Sequence, residues 1–404
     1  MPQLRSLPLL LVLLAAVPQA AQAAPPPFEI QAKQAIMIDA TTGTVLLEKN
    51  PDEQMTPSSM TKMMTDYVIF EALKKGAMKM DEELPISERA WKMGGSQMFL
   101  EVGNRARVED LIKGTIIVSA NDACVVLAEG LAGTEENFAR LMTEKSQALG
   151  MKNSSFMNSH GLSAEGHYSS ARDLAILASH IINDFPEYYH YYSEKEFSYG
   201  KNLKTGEPIP QQNRNPVLGV VQGVDGLKTG YTEAGGYGVT VSGKRGDTRL
   251  IMVINGLPSV RARADESRAL IEWGFRNFDT YTLVKAGKVI DEAPVWLGVK
   301  AKVPLTVSKD VTMTLSREAK MGAKARIKYT APVVGGTAKG TEVGTLTLTL
   351  PGMNDITVPV VVAEDVEKVG TFGKVGSAID YLLTGSSGAA TDGAEKAAED
   401  KKEK

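Results

Sequence analysis

The stretch Thr56-Pro57-Ser58-Ser59-Met60-Thr61-Lys62 places two reactive residue types one helical turn apart. Threonine followed by proline is typical of a helix start, and the apolar run that continues to Phe70 predicts a largely buried helix. Residues three apart lie on one helix face, with Cβ atoms roughly 5–6 Å apart. A serine becomes a nucleophile when a base takes its proton, and a lysine with a lowered pKa can be that base. Ser59 is therefore a candidate nucleophile and Lys62 a candidate base.

The Ser-x-x-Lys pattern by itself has little specificity. It also occurs at Ser198-Tyr199-Gly200-Lys201, and short motifs match by accident. The interpretation of Ser59 therefore depends on what the rest of the chain contains.

The composition excludes several classes of function. The chain has 404 residues, 43% hydrophobic and 23% charged, which is typical of a globular protein of two domains. Its formal net charge of -3 shows no basic excess, so we expect no nucleic-acid partner. Four histidines and one cysteine argue against a multi-ligand metal site and a disulfide framework, and we expect no metal and no cofactor. Cys124, in an apolar run, is predicted to be a core residue.

The first residues have the pattern of a secretory signal peptide. Arg5 precedes the apolar run from Leu7 to Val17, and Ala21-Gln22-Ala23 supplies small residues for cleavage. We therefore predict that residues 1–23 are removed on secretion. No later stretch is long and apolar enough to span a bilayer.

Residues 24–286 are predicted to form a first domain and residues 287–368 a second. The first begins with a hairpin over residues 35–48, continues with helices at 108–118 and 122–131, and ends with strands after Lys228 and a helix over 261–278. Alternating strands separated by glycine turns predict that the second domain is all-β. We expect a short amphipathic helix over residues 369–383 and a disordered tail over 384–404.

Three further segments each allow two interpretations. Ser119 and Asn121 lie at the break between two helices, where such residues are commonly caps but can also face a site. The glycine-rich stretch around Ser96 is a loop over a site or an ordinary connector. His160 is a site residue or a satisfied loop histidine. A Lys204-Thr205-Gly206 triplet in a polar loop is interpreted as a decoy of the one at residues 228–230.

Ser-x-x-Lys, Ser-x-Asn and Lys-Thr-Gly occur here in that order, at Ser59, Ser119 and Lys228. These three motifs are the active-site set of penicillin-binding proteins and serine β-lactamases. From about Ile36 to Leu383 the sequence resembles the D-alanyl-D-alanine carboxypeptidases, the low-molecular-mass penicillin-binding proteins. Supporting matches are Pro57 to Met64, Ser119 to Cys124, His160-Gly161-Leu162, Tyr168 to Asp173, Asn213-Arg214-Asn215 and Val224 to Gly230.

The resemblance implies a fold and an activity. The fold is α+β: a serine β-lactamase/transpeptidase-like domain, with an antiparallel sheet between helices, followed by a small all-β sandwich domain. The implied activity is removal of the terminal D-alanine from peptidoglycan pentapeptide stems in cell-wall biogenesis, through an acyl-enzyme on Ser59 that penicillin also forms. The implied location is the bacterial periplasm, with weak peripheral contact to the outer face of the inner membrane.

The resemblance also implies residue roles. Lys62 is the general base, Ser119 relays a proton to the leaving nitrogen, and a charged Lys228 helps to keep Lys62 neutral. The N–H groups of Ser59 and Tyr231 form the oxyanion hole. Thr229 and Arg249 receive the terminal carboxylate of the substrate. The predicted substrate-binding residues are Asn121, Lys228, Thr229, Gly230, Tyr231, Arg249, Arg214, His160 and Ser96.

The sequence departs from the family pattern in three places. Tyr231 stands where many relatives carry histidine, which bears on substrate preference or rate. Ala120 stands where many have glycine. The segment 371–383 is a weaker anchor than in relatives and is not terminal, so the sequence does not decide membrane attachment. It does not decide the oligomeric state either.

Two other functions remain as alternatives. A class A β-lactamase shares the three motifs but also needs a glutamate that activates the deacylating water, and no Glu-x-x-x-Asn lies between Asn121 and Lys228. A catalytically silent wall-binding protein is the other, and it predicts a lost motif member, whereas all three motifs are intact.

Overall fold

The structure is a computed structural model that describes residues 28–201, 206–351 and 353–370. The predicted signal peptide (1–23), the amphipathic helix expected after Gly370, the predicted tail and most of the decoy Lys-Thr-Gly triplet lie outside the described residues. In the part of the chain that is described, no helix has the length and apolarity needed to cross a bilayer.

Nine strands lie in the first domain within the residues that the structure describes. In chain order they are β1 (Gln34–Asp39), β2 (Val45–Lys49), β3 (Glu83–Pro85), β4 (Arg105–Arg107), β5 (Glu196–Lys201), β6 (Pro208–Gln212), β7 (Val224–Thr232), β8 (Gly236–Arg245) and β9 (Thr248–Leu257). Five of them form an antiparallel sheet in the order β2-β1-β9-β8-β7, and the hairpin predicted near the N-terminus is its β1–β2 pair. This order leaves β7, which carries Lys228, at an edge of the sheet where a substrate can approach.

The described residues of the first domain also contain eight α-helices. They are α1 (Lys62–Lys74), α2 (Glu88–Trp91), α3 (Val108–Lys113), α4 (Asn121–Ala132), α5 (Glu135–Ala148), α6 (Ala171–Asp184), α7 (Pro186–Tyr189) and α8 (Val260–Asn277). One face of the sheet packs on α8, and the other packs on the group that contains α1, α4 and α6. The sheet therefore lies between two helical layers, as predicted.

The apolar run after Lys62 forms α1, whose residues are buried from Lys62 to Phe70. A helix without a polar face has to be enclosed by other elements, and α4, α5 and α6 surround it. The start of α1 is consequently held inside the domain.

The second domain is all-β around its own apolar core. Its elements are β10 (Phe278–Val284), β11 (Asp291–Trp296), β12 (Lys302–Val307), β13 (Val311–Ser316), α9 (Arg317–Met321), β14 (Lys324–Tyr329), β15 (Val333–Val334), β16 (Glu342–Thr349) and β17 (Ile356–Val362). A six-stranded sheet, β14-β16-β17-β12-β11-β15, and the β10–β13 pair enclose this core. Because β10 pairs with β13, the all-β part begins directly after α8, earlier than the boundary predicted after residue 286.

Candidate active site

Ser59 lies in a tight 3₁₀ turn, Ser58–Thr61, that leads into α1. Ser58 has a φ of 52°, in the left-handed region, so the chain turns sharply just before Ser59. Ser59 is half-buried, whereas Ser58, Met60 and Thr61 are buried. The turn thus exposes Ser59 at the start of an otherwise enclosed helix.

Two glycines allow other segments to reach this turn. A Cβ at Gly161, whose φ is 87°, would lie 1.9 Å from the carbonyl oxygen of Ser58. A Cβ at Gly230 would lie 2.8 Å from the carbonyl oxygen of Pro57. Real Cβ atoms do not come so close, so both positions need glycine for β7 and the turn at Gly161 to approach Ser59.

Lys62 is fully buried and points its amine at Ser59. Its Nζ lies 3.2 Å from Ser59 Oγ, 2.7 Å from Asn121 Oδ1 and 2.6 Å from the carbonyl oxygen of His160. Burial lowers the pKa of Lys62 from its ordinary value. A neutral amine has two N–H donors and one lone pair. The two carbonyl-type oxygens take the donors, so the lone pair is left for the Ser59 hydroxyl.

The side chains of Ser119 and Asn121 face the two lysines and make no helix-capping hydrogen bond, although Ser119 is the residue that ends the helical segment before it. Ser119 is buried in the left-handed region, with a φ of 63°, and its Oγ accepts a hydrogen bond of 3.0 Å from Lys228 Nζ. The Asn121 side chain accepts from Lys62 and donates to the carbonyl of Gly94 at 2.8 Å. Of the two interpretations of this triplet, the structure supports the site.

The glycine-rich loop covers this motif. The carbonyl of Ser96 accepts the backbone N–H of Asn121 at 2.7 Å, and the Ser96 hydroxyl accepts a hydrogen bond from the exposed Arg214. The segment around Ser96 is therefore a loop over the site and not a simple connector.

Lys228 is buried on β7, close enough to Lys62 for the two amines to interact electrostatically. Burial first, and then the charge of Lys62, lower the pKa of Lys228 well below its ordinary value. Asp66, whose pKa burial raises to about 6, favours the charged form of both lysines. The expectation that Lys228 simply retains its charge is thus modified, because each lysine opposes the charge of the other.

His160 contributes its backbone to the site. Its carbonyl holds Lys62, and its ring accepts the N–H of Leu162 on Nδ1 at 3.1 Å and approaches Glu135 through Nε2 at 3.3 Å. Burial lowers the pKa of His160 to about 4, so the ring is neutral near pH 7. Both interpretations of this residue hold: the ring is satisfied, and the carbonyl belongs to the site.

The structure brings Thr229, Gly230 and Tyr231 to the edge of the site on β7. Thr229 is buried, whereas Tyr231 is 52% exposed and stacks on Tyr237 with 4.1 Å between ring centroids. Tyr231 therefore presents a fixed aromatic surface beside the Lys-Thr-Gly segment.

Arg249 is the predicted site residue that the structure does not bring to the site. Its guanidinium binds the carboxylate of Asp225 at 2.8 and 3.0 Å and donates to Ser242 Oγ at 2.8 Å. Ser242 lies opposite Gly226, two residues along β7 from Lys228 and roughly 7 Å further along the strand. The geometry does not support the prediction that Arg249 receives the substrate carboxylate together with Thr229, because the strand register carries Arg249 away from Thr229 and Asp225 binds its guanidinium.

Arg263 on α8 is the arginine beside the Lys-Thr-Gly segment. Its Nη1 lies 3.4 Å from the carbonyl oxygen of Gly230, and its Nε is buried without a hydrogen-bond partner. Among the described residues it has no carboxylate within ion-pair distance, so its positive charge is uncompensated. The sequence did contain a signal for Arg263. It lies seven positions before Leu270, which places a charged side chain on the apolar face of the helix.

The competing Ser-x-x-Lys motif lies elsewhere. Ser198 is an exposed residue of strand β5, not the start of a helix. A strand alternates its side chains between faces, so the three-residue spacing that aligns Ser59 with Lys62 on a helix does not apply at Ser198.

Comparison with known proteins gives consistent matches over both domains. Residues 19–258 match the model of a family described as D-alanyl-D-alanine carboxypeptidase, and residues 278–368 match that of the penicillin-binding protein 5 C-terminal domain. The chain is 39% identical over 354 residues to D-alanyl-D-alanine carboxypeptidase DacC of Escherichia coli (strain K12), which covers 86% of this chain and 87% of DacC. It is 39% identical over 359 residues to DacA of Haemophilus influenzae, covering 86% of this chain and 88% of that protein.

Solved structures show the same likeness. Penicillin-binding protein 5 from Haemophilus influenzae superimposes with a TM-score of 0.71 at 39% identity, covering 85% of this chain and 99% of that one. Penicillin-binding protein D2 from Listeria monocytogenes, in its ampicillin-bound form, superimposes with a TM-score of 0.55 at 28% identity, covering 62% of this chain and 99% of that one.

Proposed function

Because the chain belongs to the D-alanyl-D-alanine carboxypeptidase family of serine peptidases, we propose that Ser59 is the nucleophile with which it releases the terminal D-alanine. The family activity is that of a penicillin-binding cell-wall hydrolase. The observation that supports the residue assignment is the position of Lys62 Nζ, 3.2 Å from Ser59 Oγ, with its other two contacts made to carbonyl-type oxygens.

Acylation begins when neutral Lys62 takes the proton of Ser59. Ser59 Oγ then attacks the carbonyl carbon of the penultimate D-alanine, and the carbonyl oxygen becomes an oxyanion. The N–H groups of Ser59 and Tyr231 stabilise this oxyanion. The close approach of Gly230 to the Pro57 carbonyl supports this role, because it brings β7 beside the Ser59 turn.

Collapse of the tetrahedral intermediate breaks the C–N bond to the terminal D-alanine. The leaving nitrogen takes a proton that passes from Lys62 through the Ser119 hydroxyl, and Lys228, bound to Ser119 Oγ, orients that hydroxyl. Water then attacks the Ser59 ester, with Lys62 as the base again, and the shortened peptide leaves.

Arg263 takes the place of Arg249 in recognition of the substrate carboxylate. It is buried, lacks a carboxylate partner among the described residues, and reaches Gly230, the neighbour of Thr229. An uncompensated guanidinium at this position favours an arriving anion. Thr229 and Lys228 complete the same anion site, and Arg214 with Ser96 closes the opposite wall.

An Arg263→Gln variant is expected to lose about 10- to 100-fold in kcat/KM on a peptide ending in D-Ala-D-Ala. A charge-assisted hydrogen bond contributes about 1.5–3 kcal/mol. Arg249→Gln is the matched control, and its kcat/KM should stay within about twofold while its Tm falls, since Asp225 loses its partner. Steady-state kinetics on the free acid and on its C-terminal amide check this. An equal loss on both substrates would contradict carboxylate recognition by Arg263.

We also propose peptidoglycan stem peptides as the physiological substrate and export as the route to them. Relatives are bacterial cell-wall enzymes, and a relative of this fold binds ampicillin. Residues 1–23 have the composition of a signal peptide, which supports a periplasmic location. N-terminal sequencing of the exported protein tests cleavage after Ala23 or Ala24, and an intact N-terminus on exported protein would oppose it.

A comparison of two acyl groups tests the proposed function against the β-lactamase alternative. D-alanine release should turn over many times, whereas a penicilloyl ester should persist for minutes or longer, because its tethered leaving nitrogen blocks the approach of water. Glu135 is a buried glutamate on the far side of the His160 turn, and its carboxylate is already engaged by Ser159 and Arg89. Intact mass against time and D-alanine release measure both steps. Penicillin hydrolysis at roughly 1–1000 s⁻¹ with no peptide cleavage would replace the carboxypeptidase assignment.

A further inference from the structure

A buried carboxylate stands behind the catalytic lysine without touching it. Glu135, the first residue of α5, is 2% exposed. Its Oε1 accepts the backbone N–H of Ser159 at 3.0 Å and the Ser159 hydroxyl at 2.6 Å, and lies 3.3 Å from His160 Nε2. Its Oε2 accepts from Arg89 at 2.6 Å. The contacts of Oε1 converge on one turn of backbone, Ser159–His160, whereas Arg89 holds the other carboxylate oxygen.

That turn presents two consecutive carbonyls to α1. The carbonyl of Ser159 accepts from Thr65 Oγ1 at 2.6 Å, and the carbonyl of His160 accepts from Lys62 Nζ at 2.6 Å. On its other side the turn is pressed against Ser58 by Gly161. The position of the His160 carbonyl is therefore determined by Glu135 on one side and α1 on the other.

We propose that Glu135 is a positioning residue that holds the His160 carbonyl against Lys62 and so directs the amine lone pair at Ser59. This inference rests on the base role proposed for Lys62. If the carbonyl withdraws, the amine loses one of its two acceptors and rotates freely about its last bond. The lone pair then points at Ser59 only part of the time, although no substrate contact has changed.

The chemistry of the cluster favours a carboxylate at position 135. His160 Nδ1 accepts the N–H of Leu162, so the ring proton is on Nε2 and is donated towards Glu135. Glu135 thus receives donors only, from Ser159, His160 and Arg89. An amide at this position would offer an NH₂ group to one of those donors.

The same packing keeps water away from Lys62. Burial is the largest cause of the lowered pKa of Lys62, so a looser turn should raise that pKa towards the ordinary value. The other titratable or charged groups that interact electrostatically with Lys62 are Lys228, Arg214, Asp66, Asp122, Cys124, His160 and His167. A substitution at position 135 acts directly on two of them, His160, which contacts Glu135, and Cys124, whose pKa the charge of Glu135 raises.

The test compares Glu135→Ala and Glu135→Gln with Glu136→Gln, a matched control that removes an exposed carboxylate bound to the same Arg89. We expect Glu135→Ala to lower kcat by about 10- to 100-fold with KM nearly unchanged, since misplacement of about 1 Å can cost 10²-fold. The acid limb of the kcat/KM profile should move to higher pH. Glu135→Gln should lie between Glu135→Ala and the parent protein, and Glu136→Gln should match the parent.

Titration with penicillin gives the fraction of competent enzyme, so that loss of folding is separated from loss of rate. A lower competent fraction with an unmoved acid limb would overturn the inference and leave Glu135 a structural residue only. If Glu135→Ala does not fold, the pH profile of Glu135→Gln is used instead. An acid limb shifted to higher pH supports the inference, and an unmoved limb overturns it. The inference and its premise fail differently: a parental acylation rate in a Lys62→Met variant would refute the base role, whatever the Glu135 variants do.

Discussion

A Ser59→Ala variant is expected to lose D-alanine release by a factor on the order of 10⁶, because no other nucleophile is placed to form the acyl-enzyme. It should also show no mass increase with penicillin, since the acceptor oxygen is gone. The residue is half-buried at a helix start, so the fold should survive the loss of one hydroxyl, which thermal unfolding checks.

Ser198→Ala is the matched control for this result. Ser198 belongs to the same short pattern but lies exposed in β5, so its variant should keep parental turnover and labelling. Peptide mapping of the penicilloyl adduct gives an independent answer. An adduct on the Ser198 peptide, or full activity in Ser59→Ala, would contradict the assignment of Ser59 as the nucleophile.

The second large effect is expected from Lys62→Met, which replaces the amine by an apolar side chain of similar length. Removing a general base costs about 10²–10⁴-fold in rate, and the loss should appear in the acylation rate with either penicillin or peptide. Lys75→Met, which removes an exposed amine just after the same helix, is the control and should change neither rate.

The pH dependence of acylation separates a base from a purely structural lysine. Only the neutral amine accepts a proton, so activity is present above the pKa of Lys62 and is lost as pH falls through it. Burial lowers the pKa of Lys62, so the parent protein should lose activity at a pH below the usual pKa range of lysine. Lys62→Met should lack this limb. An unchanged limb in the variant would assign it to another group, of which Asp66, with a pKa of about 6, is the first to test.

Local spacing was sufficient for part of the site. Ser59 and Lys62 meet because a helix brings residues three apart onto one face, whatever surrounds that helix. The β1–β2 hairpin, α1, α8 and the all-β character of the second domain also follow from short-range periodicity and turns. The domain boundary after residue 286 stays a prediction, and the pairing of β10 with β13 across it could not be read from either strand alone.

Arg249 shows the limit of prediction from short-range sequence patterns. Arg249 and Arg263 both follow the Lys-Thr-Gly segment within a few tens of residues, and each is a plausible neighbour on composition alone. Strand register decided between them, since it pairs Arg249 with Lys244 at the far end of β8 and β9. Register is a property of two segments together, so neither segment specifies it alone.

The sequence by itself was therefore sufficient to propose the nucleophile and the lysine beside it, because each motif consists of residues close together in the chain, and the order of the three motifs indicated the family. Only the tertiary structure decided which arginine lies at Gly230, which carbonyls hold Lys62, and that Glu135 stands behind them. Those contacts join positions tens of residues apart: the helix of Lys62, the turn of His160 and the start of α5. They exist because one buried amine and one buried carboxylate each need hydrogen-bond partners, and folding is what brings those partners within reach.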